Sequence, residues 1–194
     1  MSVLQTALSG LFGKNFFADF SGGDWCISEQ KAAQIHKLFW WWVSSLAPIF
    51  LAFVMVFWSP VAGLVLICAS GGAFFVLHVI HLYKLWKLVP ASEAVMNPLV
   101  MVLLLFVPVI AYFWIFVAYY GLGKRYDKFI KGTSTKALEF CILFWSFMIL
   151  GPIAQLFPNT IFAVIVFVVM LLAFVVFISM MYRFTRCIDK MPRI

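Results

Sequence analysis

Five stretches of the chain are built almost wholly from apolar side chains, and the charged residues collect between them. The first, Leu38 to Trp58, carries no ionisable residue over 21 positions. At ~1.5 Å per residue that is about 32 Å of helix, enough to cross a hydrocarbon core of ~30 Å. The second runs from Val61 to about Tyr83, the third from Pro98 to Tyr120 with Pro108 near its middle. The fourth and fifth are Leu138 to Phe157 and Thr160 to Tyr182. Two of the connections, Ser59-Pro60 and Pro158-Asn159, are short and uncharged. The others carry Lys84, Lys87, Pro90 and Glu93, and then Lys124, Arg125, Lys128, Lys131 and Lys136. Arg183, Arg186, Lys190 and Arg193 close the chain.

Ahead of the first span, Val3, Leu4, Ala7, Leu8, Leu11 and Phe12 recur at helical spacing, followed by Phe16, Phe17 and Phe20. This predicts a short amphipathic helix on the membrane surface or against the bundle. Ser21-Gly22-Gly23-Asp24 ends it. Ser28 is a fair N-cap and Glu29 a favourable first-turn anion, so a helix from about Glu29 is expected to run into the first span. The expected organisation is an amphipathic, cytoplasmic segment over 1–36, a transmembrane helical domain over 37–183 and a basic tail over 184–194. No basic region precedes an apolar stretch at the start, so no signal peptide is expected.

Trp40, Trp41, Trp42, Trp58 and Trp86 stand near span ends and are expected at the membrane interfaces. Ala69, Gly71, Gly72 and Ala73 give the second span a smooth face for close helix packing. These glycines lie in mid-span with no Lys beside them, so they are not a phosphate loop.

Counting the five apolar runs as five crossings conflicts with the charges. With the N-terminus inside, a full third crossing would put the loop of five cations and the basic tail outside. If residues 94–120 instead enter and leave on one side, bending at Pro108, all 14 Lys and Arg fall inside and both outer connections are uncharged. Proline removes a backbone bond and clashes with the preceding turn, so a hinge is natural there. The fold expected is therefore all-α: a polytopic membrane bundle with four crossings and a Pro-hinged re-entrant hairpin. The alternative is five crossings with the third kinked. Both termini are expected in the cytoplasm, at a bacterial inner membrane.

Composition agrees. Apolar residues make up 65% and charged residues 11%, against roughly half and a quarter in soluble domains. The net charge of +7 is spread over span ends, which suits anionic headgroups rather than nucleic acid. Cys26, Cys68, Cys141 and Cys187 form no CxxC pair, and Cys68 and Cys141 are expected to be small core residues.

Tyr83-x-x-Trp86-Lys87-x-x-Pro90, Ala94-Val95, Pro108 to Phe116 and Gly121-Leu122-x-Lys124 resemble a group of uncharacterised bacterial multi-span proteins. Many of these carry a zinc-ribbon or GYF-like module, which is absent here. Their recurrent pattern is P-x-x-N-x-Y-W-x-F. Pro108, Trp114 and Phe116 match it, while Ala111 replaces the Asn and Phe113 the Tyr. The resemblance implies a shared fold and no particular activity.

Candidate chemistry is sparse. His36, His78 and His81 are expected near the cytoplasmic interface, and His78 and His81, at i, i+3, are the only weak candidates for a cofactor. No Asp, Glu, Lys or Arg lies inside an apolar run, Glu139 standing only at the edge of one, which argues against an ion relay. No paired carboxylates, nucleophile motif or HExxH occurs, so no catalytic or metal-binding residue is expected. Nor is any cofactor. What remains is a non-enzymatic membrane component acting through helix packing, as a homo-oligomer or an accessory subunit. A channel-forming or membrane-perturbing oligomer and a subunit for a lipophilic cofactor are the alternatives.

Overall fold

The computed structural model describes residues 25, 27–90, 93–94, 96–130, 134–156 and 160–193. The predicted amphipathic start lies outside them. Among the described residues the secondary structure is helical, with a single bridge between Ile27 and Arg193. Two units are distinguished, one of residues 1–102 with 192–194 and one of residues 103–191.

In the first unit, α1 (Glu29–Ser44) starts where expected. The Ser28 hydroxyl accepts the Lys31 amide at 3.4 Å, and Glu29 sits in the first turn. Ala32, Ile35, Phe39 and Trp42 form its buried stripe. The helix tightens at Ser45, whose hydroxyl donates to the Trp42 carbonyl at 2.6 Å, and continues as α2 (Leu46–Trp58). Pro48 explains the interruption, because it has no N–H for the Ser44 carbonyl four residues back. Ser59 is extended, as a residue before proline prefers, and Pro60 opens α3 (Pro60–Lys87) from the first-turn position. The hairpin closes tightly at Gly63, where a Cβ would stand 2.6 Å from the Val56 amide nitrogen. At 28 residues, α3 is roughly 42 Å long and overreaches the ~30 Å core, with Lys84 and Lys87 in its last turn.

A short helix, α4 (Pro98–Leu103), follows. Asn97 caps it by accepting the Leu99 amide at 2.9 Å. The second unit takes over at Leu103, and a 3₁₀ turn, Leu104–Phe106, follows. Val107 is then extended, at φ −89° and ψ 106°, and Pro108 starts α5 (Pro108–Ile115). The break falls where Pro108 was expected to hinge the chain. A π-turn, Phe116–Tyr120, leads into α6 (Gly121–Phe129), so the basic stretch after the third apolar run begins as helix rather than loop. Then come α7 (Ala137–Leu156) and α8 (Thr160–Ile188). Rings pack the interior of this unit: Phe140 lies 4.9 Å from Phe177 and Tyr119 5.3 Å from Phe140, with Tyr126 5.4 Å from Phe184.

Among the described residues four helices are long and apolar enough to cross a membrane: Glu29–Trp58, Pro60–Lys87, Ala137–Leu156 and Ile161–Ile188. The chain is thus an all-α polytopic membrane protein. Residues 98–129 are divided at Val107 and supply no helix of that kind.

Candidate functional site

The irregular stretch of the second unit is where the backbone departs from a plain helix, and its neighbours answer each departure. The Phe116 amide bonds the Phe113 carbonyl three residues back, and the Gly121 amide reaches Phe116 five residues back. The carbonyl that the Phe116 amide passes over is that of Tyr112. It accepts the indole N–H of Trp145 on α7, at 3.0 Å. Cys141, one turn earlier on α7, directs its thiol at the Ile115 carbonyl, 3.9 Å away. Non-helical backbone at membrane depth is tolerated where protein supplies partners, and α7 supplies them. Beside this brace Phe113, Phe116, Ile142, Trp145, Ser146 and Ile149 line an open groove of about 500 Å³. Its one hydroxyl, that of Ser146, is turned back onto the Ile142 carbonyl at 2.9 Å.

One end of the same unit is strongly basic. Asp127 on α6 accepts the Thr135 amide at 2.9 Å and the Thr135 hydroxyl at 3.1 Å, and Arg183 on α8 donates to the Ser134 carbonyl at 2.8 Å. These contacts draw α6, the start of α7 and the last turns of α8 together. Gly123 sits at the seam: a Cβ there would overlap that of Ala137 and stand 2.7 Å from the Thr135 hydroxyl. Lys136 adopts left-handed backbone, at φ 59°. Burial pushes the Asp127 carboxyl above its ordinary value and Glu139 adds to the rise, while the Thr135 hydrogen bonds and Arg183 pull the other way. The Tyr126 hydroxyl is raised well above its ordinary value, again chiefly by burial. Lys124 and Lys128 are exposed on α6. Arg186 holds the Tyr182 hydroxyl at 2.9 Å and lies 3.9 Å from Asp189.

Two histidines of the first unit are drawn into its helix packing. His78 and His81 are buried on α3 against the stripe of α1: Trp42 lies 5.5 Å from His78, and Phe39 5.8 Å from His81. Trp42 also stacks on Phe74 at 5.1 Å. The pair is brought onto one face, as its spacing required, but its ring faces are taken up by aromatic packing. His36 is half-buried. Among the described residues no three His, Cys, Asp or Glu side chains gather in a way that would hold a metal.

Two expectations about tryptophan need correction. Trp40, Trp41 and Trp58 are 58%, 61% and 85% exposed, as interfacial rings would be, but Trp42 and Trp86 are fully buried. The spacing explains Trp42: it continues the Ile35–Phe39 stripe, and three consecutive tryptophans on a helix cannot all face outward. Cys68 is exposed rather than in a core, while Cys141 is buried. Of the small-residue face, Ala69, Gly72 and Ala73 are exposed and Gly71 half-buried, and among the described residues the glycine of α3 that packs closely is Gly63. Sequence reasoning missed the brace by Trp145. One signal was available: an indole N–H in the middle of an apolar run has no water to bond and needs a partner. No family model, curated protein or solved structure matches this chain.

Proposed function

We propose that this chain is a non-enzymatic membrane component that works by helix packing, assembling with further copies of itself through the face formed by Ala69, Gly71, Gly72 and Ala73. The observation that carries the reading is the contrast among the glycines of α3. A Cβ on Gly63 would meet backbone of Val56, whereas a Cβ on Gly71 or Gly72 would meet nothing within 4 Å among the described residues. Glycine in a helix interior costs about 1 kcal/mol relative to alanine. Two adjacent glycines against which no described residue packs make sense where another helix must come close. Large apolar side chains flank the patch, Phe75 at 49% and Val76 at 55% exposure.

In this reading the protein sits in a bacterial inner membrane with both termini in the cytoplasm, and residues 94–120 are re-entrant. The extended Val107 between α4 and α5 supports the hairpin. So does the length of its second arm: the 13 residues from Pro108 to Tyr120 reach only about 20 Å. Mass measurement of the complex extracted with its native lipid tests the assembly. A multiple of the subunit mass, reduced to the single-subunit mass by Gly71→Leu with Gly72→Leu, is the expected result. A single-subunit mass for the unaltered protein overturns it. A reporter fused at Thr133 tests the hairpin, which requires that position to be cytoplasmic.

A further inference from the structure

We infer that the second unit holds an anionic phospholipid, with the headgroup phosphate at the Lys124 and Lys128 rim and one acyl chain lying in the groove between α5 and α7. The inference rests on the membrane-embedded reading and adds a ligand of defined chemistry.

Register along the helix comes first. Gly121 stands one π-turn beyond Phe116, since its amide bonds the Phe116 carbonyl. Lys124 and Lys128 follow Gly121 by three and seven residues, so they continue the face on which Phe116 lines the groove. Both are exposed, and the arginine between them is folded back, its guanidinium donating to the Gly121 carbonyl at 2.6 Å. The rim over the groove therefore presents two exposed ammonium groups, of a charge suited to a phosphodiester.

Depth comes second. At ~1.5 Å per residue, Phe116 and Phe113 lie about 12 and 16 Å below Lys124. On the facing helix, Ile142 and Ile149 lie about 8 and 18 Å below the start of α7 at Ala137. The two walls cover the same range. Headgroups occupy roughly the outer 5–7 Å of each leaflet and its acyl chains about the next 15 Å. A lipid whose phosphate meets the lysines thus has its chain level with the groove over most of its length. The lining has the matching chemistry, apolar throughout with its hydroxyl satisfied internally. Charge selects the headgroup. The end of this unit carries Lys124, Lys128, Lys136, Arg183 and Arg186 against Asp127, Glu139 and Asp189, and Asp127 and Asp189 are already engaged by Thr135 and Arg186. A net positive rim favours a phosphatidylglycerol-type lipid over a zwitterionic one of equal chain length.

Native mass spectrometry of the full chain in an uncharged detergent tests this, counting lipid adducts per subunit. The same spectra report the number of subunits, so a failure of assembly and a failure of lipid binding are read separately. Dioleoyl phosphatidylglycerol should be retained at one per subunit, with dioleoyl phosphatidylcholine at least tenfold weaker and inorganic phosphate unable to displace it. Lys124→Gln with Lys128→Gln should weaken the phosphatidylglycerol adduct by about thirtyfold, at a factor of about five for each cation near a membrane surface. Lys124→Arg with Lys128→Arg should keep it. Ser146→Trp, which fills the groove and leaves every charge in place, should abolish the single tight adduct while circular dichroism stays helical. Equal retention of the two lipids, displacement by phosphate, or an unaltered adduct in the Ser146→Trp protein would each overturn the inference.

Discussion

The brace between Trp145 and Tyr112 gives a sharp test of how the irregular segment is held. Replacing Trp145 with benzothienylalanine exchanges the indole N–H for sulfur and keeps the bicyclic shape. The ring contacts to Phe113 at 5.7 Å and Phe116 at 5.8 Å are then preserved, and only the 3.0 Å hydrogen bond to the Tyr112 carbonyl is lost. A buried acceptor left unsatisfied costs about 1–3 kcal/mol in proteins generally. Interhelical bonds inside membranes have been worth less, about 0.6–1.7 kcal/mol, because the alternative states also find partners. On the membrane-embedded reading the alternatives are poor, since the Phe116 amide already bonds elsewhere and lipid offers the carbonyl no donor. A value of about 1–2 kcal/mol follows, which is roughly a five- to thirtyfold rise in local opening. Amide hydrogen exchange in lipid nanodiscs reads this directly. Protection at Phe116–Tyr120 should fall by that factor, while α8 stays unchanged. Trp145→Phe should fall further, because it also removes ring area. If the sulfur analogue exchanges like the unaltered protein, the carbonyl is satisfied otherwise and the brace is packing alone.

Three other outcomes follow from the geometry. Gly63→Ala should destabilise the α2–α3 hairpin by about 1–3 kcal/mol, because the added methyl meets Val56 backbone that cannot rotate away. Gly71→Ala, with open space at its Cβ, should be neutral or stabilising by up to about 1 kcal/mol in the separated subunit; thermal unfolding in detergent compares the two. Asp127→Ala should cost about 1–3 kcal/mol by leaving the Thr135 amide without its acceptor, whereas Asp127→Asn, which can still accept it, should stay close to the parent. The pH dependence has a definite sign. The folded Asp127 carboxyl titrates above its ordinary 3.8, so its contribution to stability is greatest below that value and is lost as pH rises through the folded one. Unfolding midpoints measured across this range should fall less steeply for Asp127→Asn than for the parent.

The spans were legible because hydrocarbon imposes a length and an apolar run that nothing else in the chain imitates. Ser28 and Glu29 gave the start of α1, and Pro108 gave the break before α5, since both act through local backbone chemistry. What the sequence hid depends on rotation about the helix axis. Trp40, Trp41 and Trp42 are chemically the same, and only their angular position relative to α3 sends Trp42 inward onto Phe74 and His78. The position of His78 and His81 near the end of a span says nothing of rotation, and it is their angular position that turns both rings onto Phe39 and Trp42 of α1. The glycines of α3 show the same limit: Gly63 is the packed one, while the more conspicuous pair is open. The helix α6 was missed because its Lys and Arg obscured a short amphipathic period whose inward side is Leu122, Gly123 and Tyr126. The partner of Trp145 was hidden because Tyr112 is 33 residues away, and its carbonyl is passed over only once the Phe116 amide has turned to Phe113.

Pro108 marks the hinge, but charge rather than proline should decide which side the following loop occupies. Pro108→Ala returns an N–H to the segment, and relief of proline in a helix is worth about 3 kcal/mol. With that gain Leu104 to Phe129 could join α4 in one helix of 32 residues, roughly 48 Å, ample for a fifth crossing. Such a crossing would carry Lys124, Arg125, Lys128, Lys131 and Lys136 to the opposite face. Each cation near an anionic cytoplasmic surface contributes about 1 kcal/mol, so the five together oppose the transfer by about 5 kcal/mol. The Trp145 and Cys141 contacts with α5 would be lost as well. The opposing sum exceeds the gain. On the re-entrant reading, Pro108→Ala should therefore leave a reporter at Thr133 cytoplasmic, and Pro108→Ala with Lys124, Lys128 and Lys131 each changed to Gln should move part of the population across. A single substitution at Pro108 that relocates the reporter completely would show that the break itself, and not the cations, fixes the topology.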